Sequence, residues 1–492
     1  MKRGFTLIEL LATIILIGLI GLIVIPNIMD IINKTSKKAF DSSIDGYIKA
    51  IKTDNLDRGG NENSYYIKNG DLFHAKTDEK IKVENTTKEN GTITINKNGN
   101  IKGNIEDDKY CSLILNDYKS NDINKDECKL YEDASLNKAD PVLDSDMIPV
   151  KIDSGGNALT VDLKEEWYNY EIQEWANIVI VNSEKLNKYK NASSSTIVEN
   201  EDIIAYFVWI PRYKYKIPTN GTSTPSSIDI VFEDINTIKS IGNAKTEYFS
   251  HPAFTFGSQE INGFWAGKFE TTGTKDKPTI LPKQKPLDSV NIKESFEISR
   301  KFMKYNITSD SHMMKNTEWA AVAYLSHSKY GINKEVAVNR HEKLTSCGPS
   351  SDKYDEYCIR GFGSWYTVVE QSTSGNISGV FDMSGGYHER VMANVNFIFQ
   401  SSGFGKLPDK KYYDLYSYDN NIYQVICDNN CLGQAFFETR NWYSDLNNTP
   451  TSDNPWVMRG ASGSYGSLAG IFHVNTTSGT GSNTYGFRVT LS

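Results

Sequence analysis

The first 29 residues constrain the fold more than any other part of the chain. Met1, Lys2, Arg3 and Gly4 precede the run FTLIELLATIILIGLIGLIVIPNIM, whose apolar character is broken early by one charge, Glu9. At about 1.5 Å per residue, a helix of about 25 apolar residues is long enough to cross a bilayer. A carboxylate within such a helix costs about 2.5 to 3.5 kcal/mol on insertion scales, so Glu9 is expected to have a use. Pro26 removes a backbone donor and crowds the preceding turn, which bends or loosens the helix there. An ordinary signal peptide explains the positive flank but not Glu9, and no A-x-A-like cleavage site follows the apolar run.

Beyond Pro26 the helix is expected to continue to about Asp54. Phe40, Ile44, Ile48 and Ile51 recur at helical spacing, with Lys37, Lys38, Asp41, Asp45 and Lys49 largely off that stripe. The stripe needs a sheet to cover it. Ser64 to Ile67, Leu72 to Ala75 and Thr92 to Ile95 have strand character, and Asn69-Gly70 and Asn98-Gly99 are hairpin-type dipeptides.

Gly4-Phe5-Thr6-Leu7-Ile8-Glu9 resembles the processing site of type IV pilins and pseudopilins. The resemblance implies that a prepilin peptidase cuts between Gly4 and Phe5 and methylates the new amino group. It implies too that Glu9 meets the N-terminal amine of a neighbouring pilin, with Pro26 at the family's helix-bending proline. The implied life cycle places the chain in the inner (cytoplasmic) membrane by its N-terminal helix, then in an extracellular pilus or at the cell surface. Helix plus short antiparallel sheet is the pilin layout, so the likeness is expected to reach about residue 135.

At 492 residues the chain is too long for a simple pilin and is expected to hold two globular domains. All eight Trp lie from Trp167 onward, whereas residues 55 to 135 are rich in Asn, Lys, Asp and Glu. The boundaries read from this shift are a leader at 1–4, a helix at 5–54, a small β module at 55–132, a linker at 133–146 and a larger domain at 147–492. A net charge of −8 offers no basic footprint, so nucleic acid is not an expected partner. The six Cys fall as sequence-local couples, Cys111 with Cys128, Cys347 with Cys358, and Cys427 with Cys431. An even count in an exported chain favours disulfides, although six cysteines allow 15 connectivities. Zinc at Cys427 and Cys431 would need a second close pair, which the sequence lacks.

Five segments of the larger domain occur in a recognisable order: Phe207-Val-Trp-Ile-Pro211; Phe264-Trp-Ala-Gly-Lys-Phe-Glu-Thr-Thr272; Lys315-Asn-Thr-Glu-Trp-Ala-Ala-Val-Ala-Tyr324; Gly379-Val-Phe-Asp-Met-Ser-Gly-Gly-Tyr-His-Glu389; and Val457-Met-Arg-Gly-Ala-Ser462 with Gly486-Phe-Arg-Val489. The third reads as a helix that Asn316 or Thr317 could cap. The order resembles the formylglycine-generating-enzyme (sulfatase-modifying factor) domain, an elaborated C-type-lectin fold, over about residues 205–492. With the N-terminal likeness, it implies an α+β protein: a long pilin helix with a small antiparallel sheet, then a larger C-type-lectin-like α+β domain.

Departures from that pattern bear on function. The family's oxidation uses a cysteine pair between its Arg-Gly-Gly-Ser strand and its closing Gly-Phe-Arg, but Arg459 to Arg488 contains no Cys. No thiolate is available there for copper or disulfide exchange, so no enzyme activity is expected. Gly386 and His388 replace the usual Asn and Trp of the turn, while Glu389 is kept. The family's calcium turn makes Asp382 and Glu389 the candidate ligands for a structural calcium, the one cofactor the likeness allows. No His-Glu-x-x-His, Gly-x-Ser-x-Gly or phosphate-loop pattern occurs.

What remains is recognition. Residues 461–485 are dominated by Gly, Ser, Thr and Asn around a few aromatics, a composition like that of paratopes. Trp442, Tyr443, Tyr465, Phe472, His473 and Asn475 are the candidate contacts for a surface-protein or glycan ligand. The expected function is a minor pilin or pilus-tip adhesin, and the bulk of residues 147–492 argues against a major subunit. A retroelement-diversified binding protein is the alternative, and an enzyme acting on surface proteins or glycans is the weaker third reading.

Overall fold

The computed structural model describes residues 7–60, 63–83, 86–95, 99, 101–115, 118–123, 136–217, 225–305, 309–341, 344–347, 365–419, 424–426 and 431–492. It divides into two compact units, Met1–Ala134 and Ser135–Ser492. Gly4 and Phe5 lie outside the described residues. Glu9 and Pro26 lie within the backbone of helix α1, Leu7–Asp57, but side chains on it are described only from Ile32.

In the first unit, α1 buries Phe40, Ile44, Tyr47 and Ile51 on one face. Tyr47, not Ile48, completes the stripe, because steps of four, three and four track the helix period of about 3.6. The Tyr47 hydroxyl donates to Gly70 O and to Glu89 Oε2, each at 3.0 Å, tying the helix to the sheet edge. The sheet has seven strands, with Asn63–Lys68 flanked by Asp71–His74 and Asn90–Ile95. Asn69 and Gly70 both take positive φ, 51° and 89°, so their dipeptide makes the expected hairpin turn. Strand Asn90–Ile95 alternates exposed and buried residues without a break.

The second unit is built on an eight-stranded sheet. In spatial order its strands are Ile197–Val198, Ala158–Thr160, Ile148–Ile152, Asn177–Val181, Ile203–Pro211, Gly263–Gly267, Val489–Leu491 and Ser311–Met313. Strand Ile203–Pro211 is buried along its whole length, as its near-continuous apolar sequence requires. Helix Asn316–Ser326 is also buried at every position, and Trp319 Nε1 donates to Ile471 O at 2.9 Å. Its free N-terminal amides are met by Asp414, whose Oδ2 accepts from Thr317 N at 2.7 Å. Asn316 is otherwise engaged, donating to Gln434 O and accepting from Arg459 Nε. A second, six-stranded sheet includes His388–Val395, Trp456–Gly460 and Gly470–Thr477, with Tyr485–Phe487 paired parallel to the first of these.

Two expectations need adjusting. The α+β class, a long pilin helix with a small sheet followed by an α+β domain, is corrected: the protein is mostly sheet, 22% helical, and its described helices after α1 are few and short. Among the described residues, no helix is long and apolar enough to cross a membrane. Part of the expected linker, meanwhile, belongs to the second unit's core. Ala139 is buried and its carbonyl accepts from Trp209 Nε1 at 3.0 Å, while Val142 O accepts from Trp265 Nε1 at 2.8 Å.

Candidate binding site

Four rings converge where the second sheet meets its connecting loops. His388 opens the strand His388–Val395, directly opposite Tyr485 across the parallel pair. Tyr465 rides the 3₁₀ turn Gly463–Leu468, whose start is fixed by Ser462 Oγ accepting from Ser464 N. His473 lies on Gly470–Thr477, among the residues 471–473 that this strand inserts between the pairs Arg459–Val474 and Gly460–Gly470. The His388 ring stands edge-on to Tyr465 at 4.9 Å and to Tyr485 at 5.8 Å, and 5.8 Å from His473. Tyr465 in turn meets His473 at 5.7 Å. Tyr465 is 38% exposed, while His388 and His473 are buried.

His473 Nδ1 lies 2.8 Å from Leu468 O. A carbonyl only accepts, so Nδ1 carries the proton and Nε2 of the neutral ring is a lone pair. That Nε2 is buried and has no hydrogen-bond partner within the protein. Burial, against the hydrogen bond to Leu468 and with smaller help from the charges of His388 and Arg459, pushes the imidazole down to about 4, so it stays neutral at physiological pH.

The turn that presents His388 is held from beneath. Gly385 and Gly386 take φ of 80° and 73°, and a Cβ on Gly386 would stand 2.5 Å from Glu270 Oε1. That oxygen accepts from Tyr387 N at 2.9 Å. A side chain at Gly386 would therefore collide with the Glu270 carboxylate. Next to the turn, Glu389 is gripped by Arg488, whose Nε donates to Oε2 at 3.0 Å and whose Nη2 donates to Oε1. Arg488 also donates to Gly267 O and Phe381 O, linking the two sheets. Arg459 does similar work beside His473, reaching Asn316 Oδ1, Gln434 O and Ala435 O.

The calcium expectation fits this geometry poorly. Both Glu389 oxygens are taken by a guanidinium, whose positive charge would repel a cation. Asp382 Oδ1 is committed to Asn339 Nδ2 at 2.9 Å and Ser346 N at 2.6 Å. Burial pushes Asp382 up to about 6 and Glu389 up to about 7, although Arg488 opposes the rise in both. These are structural acids linking chain segments. Among the described residues, no group of three or more His, Cys, Asp or Glu is arranged to hold a metal.

The other sequence-chosen contacts separate from this cluster because side chains alternate along a strand. Phe472 and His473 point to opposite faces. Phe472 is buried against Trp442 at 4.9 Å and His327 at 6.0 Å, and Trp442 is fully buried. Tyr443 is half-buried, its hydroxyl 3.4 Å from His327 Nδ1. Asn475 is half-buried, and its Oδ1 accepts from Thr476 N and Asn448 Nδ2. Tyr465 therefore faces solvent, while Trp442 and Phe472 are buried. His388 and Tyr485 complete the cluster but were not among the expected contacts. The signal for His388 was its departure from the family turn, which usually carries Trp there.

Of the cysteines, Cys111, Cys347 and Cys431 are disulfide-bonded, and none among the described residues is free. Cys128, Cys358 and Cys427 lie outside the described residues.

No family model and no curated protein matches the chain. Among solved structures it is similar to Treponema denticola variable protein 1, at 11% identity and a TM-score of 0.23, over 58% of this chain and 95% of that one. It is also similar to PvdO from Pseudomonas aeruginosa, at 9% identity and a TM-score of 0.24, over 58% of this chain and 94% of that one. Likeness at this level fixes neither fold nor function.

Proposed function

We propose that the protein is a non-catalytic, surface-displayed binding protein, a minor type IV pilin or pilus-tip adhesin, whose second unit recognises a ligand through the Tyr465 face. The observation that carries this reading is an exposed Tyr465 ring resting against the neutral, buried His473, whose Nε2 is unused within the fold. An orphaned buried acceptor is costly to keep, commonly about 1–3 kcal/mol, and a ligand can satisfy it. The prepilin-like Gly4-Phe5 junction and Glu9 supply the route to the surface, through prepilin peptidase and assembly with other pilins. The absence of Cys between Arg459 and Arg488 favours binding over the family's oxidative chemistry.

A second reading, a sequence-diversified binding protein, draws support from the Ser-, Asn- and Tyr-bearing segment 461–485 that carries Tyr465, His473 and Tyr485. The test common to both is binding of the full chain to arrayed cell-surface proteins and glycans. A specific ligand that Tyr465→Ala weakens at least tenfold supports the reading, and no specific binding to either array refutes it.

A further inference from the structure

We infer, building on the binding reading above, that the ligand of this site is a protein that inserts a tyrosine- or tryptophan-like side chain, donating its single O–H or N–H to His473 Nε2. The argument starts from the tautomer. With Nδ1–H committed to Leu468 O at 2.8 Å, Nε2 can only accept. Because burial holds the ring neutral, down to about 4, the imidazole itself offers a lone pair and no positive charge to an incoming group. Carboxylates and phosphates bring acceptors to an acceptor and are disfavoured.

The walls narrow the choice further. Ring centroids of His388 and Tyr465 stand 5.8 and 5.7 Å from that of His473, with Tyr485 beyond His388. Such a lining suits edge or face contact with another aromatic ring. One acceptor among rings matches a ligand with one donor on a large apolar body, which describes a phenol or an indole. A pyranose carries several hydroxyls, and those facing the rings would be desolvated without partners. A protein side chain is therefore favoured over a saccharide. Tyr465 is the exposed member of the cluster, so an incoming side chain meets its ring first.

The experiment follows the His473 imidazole by NMR in the ¹⁵N-histidine-labelled full chain while small probes are titrated. The probes are p-cresol, its methyl ether 4-methylanisole, p-toluate and methyl glucoside. In the free protein, Nδ1 should carry the proton and Nε2 should not. p-Cresol should shift the Nε2 resonance saturably, and 4-methylanisole, which lacks only the donor, should bind at least tenfold more weakly. p-Toluate and methyl glucoside should bind no better than the ether. His473→Phe should abolish the preference for cresol over its ether, with the Tm recorded to establish that the variant is folded. The wild-type comparison of cresol with its ether stands without that variant.

A protonated Nε2, equal binding of cresol and its ether, tighter binding of the toluate or the glucoside, or no shift with any probe would overturn the inference. The two readings fail separately. Discrimination by the probes without binding on either array removes the surface-display function and leaves the chemistry of the site. Array binding lost on Tyr465→Ala, without donor discrimination, does the reverse.

Discussion

Asp445 offers a sharp test of how the second unit is built around its binding loops. Its Oδ2 accepts from Phe472 N at 3.0 Å, the residue before His473, while Oδ1 is buried without a partner. Burial, reinforced by the nearby Glu335 charge, pushes the carboxyl up to about 8 against one opposing hydrogen bond from Phe472. In the unfolded chain the group should titrate near its ordinary value of 3.8. Between these values the folded state binds one more proton than the unfolded state, so stability is fully present below the unfolded value and falls as pH rises towards 8. At about 1.36 kcal/mol per pH unit per proton, raising the pH from 5 to 7.5 should cost about 3 kcal/mol through this residue.

Asp445→Asn removes the titration while keeping an oxygen for Phe472 N and nearly the same volume. The variant should match wild type near pH 4 and become progressively more stable than wild type towards pH 7.5. Its stability should fall less steeply with pH by about one proton's worth. Urea unfolding followed by Trp fluorescence measures this cleanly, because all eight Trp lie in the second unit. An unchanged slope, or an Asn variant weaker than wild type at pH 7.5, would refute the assignment of a buried protonated carboxyl.

Three further outcomes are expected. Arg488→Met should destabilise the second unit by about 3 to 5 kcal/mol, because it leaves Glu389 buried and unpaired; a loss below about 1 kcal/mol in urea unfolding would contradict a buried pair. Thiol labelling of the unreduced, denatured chain should leave Cys111, Cys347 and Cys431 unmodified, and labelling at any of them would contradict the bonded state. Mass spectrometry of the exported chain should find N-methylated Phe5 at its start, whereas a chain beginning at Met1 would remove the prepilin reading.

Local pattern was legible in the sequence wherever it was repeated or carried by turn chemistry. The Phe40, Ile44 and Ile51 positions, the Asn69-Gly70 turn and the strand Thr92 to Ile95 could be read because helix period, positive φ and strict alternation each leave a signature. Ile48 misled because Tyr47 lies equally close to the stripe and its hydroxyl finds a partner across the unit. Ala139 and Val142, within the expected linker, offer carbonyls to indole donors about 70 and 120 residues away, a pairing no local composition betrays. The site was half legible. Aromatics in a Ser- and Asn-rich stretch pointed to Tyr465 and His473, but strand alternation sent Phe472 inward. His388 and Tyr485 joined only through a parallel pairing between strands far apart in the chain.

The central claim is that Tyr465 belongs to a recognition face and not to the packing of the core. Ligand affinity and Tm measured together on wild type, Tyr465→Ala and Trp319→Ala test it most directly. The account predicts that Tyr465→Ala weakens binding at least tenfold with little change in Tm, while the fully buried Trp319→Ala loses about 3 to 5 kcal/mol of stability. A Tyr465→Ala variant that keeps its affinity, or that loses stability on the scale of Trp319→Ala, would contradict it.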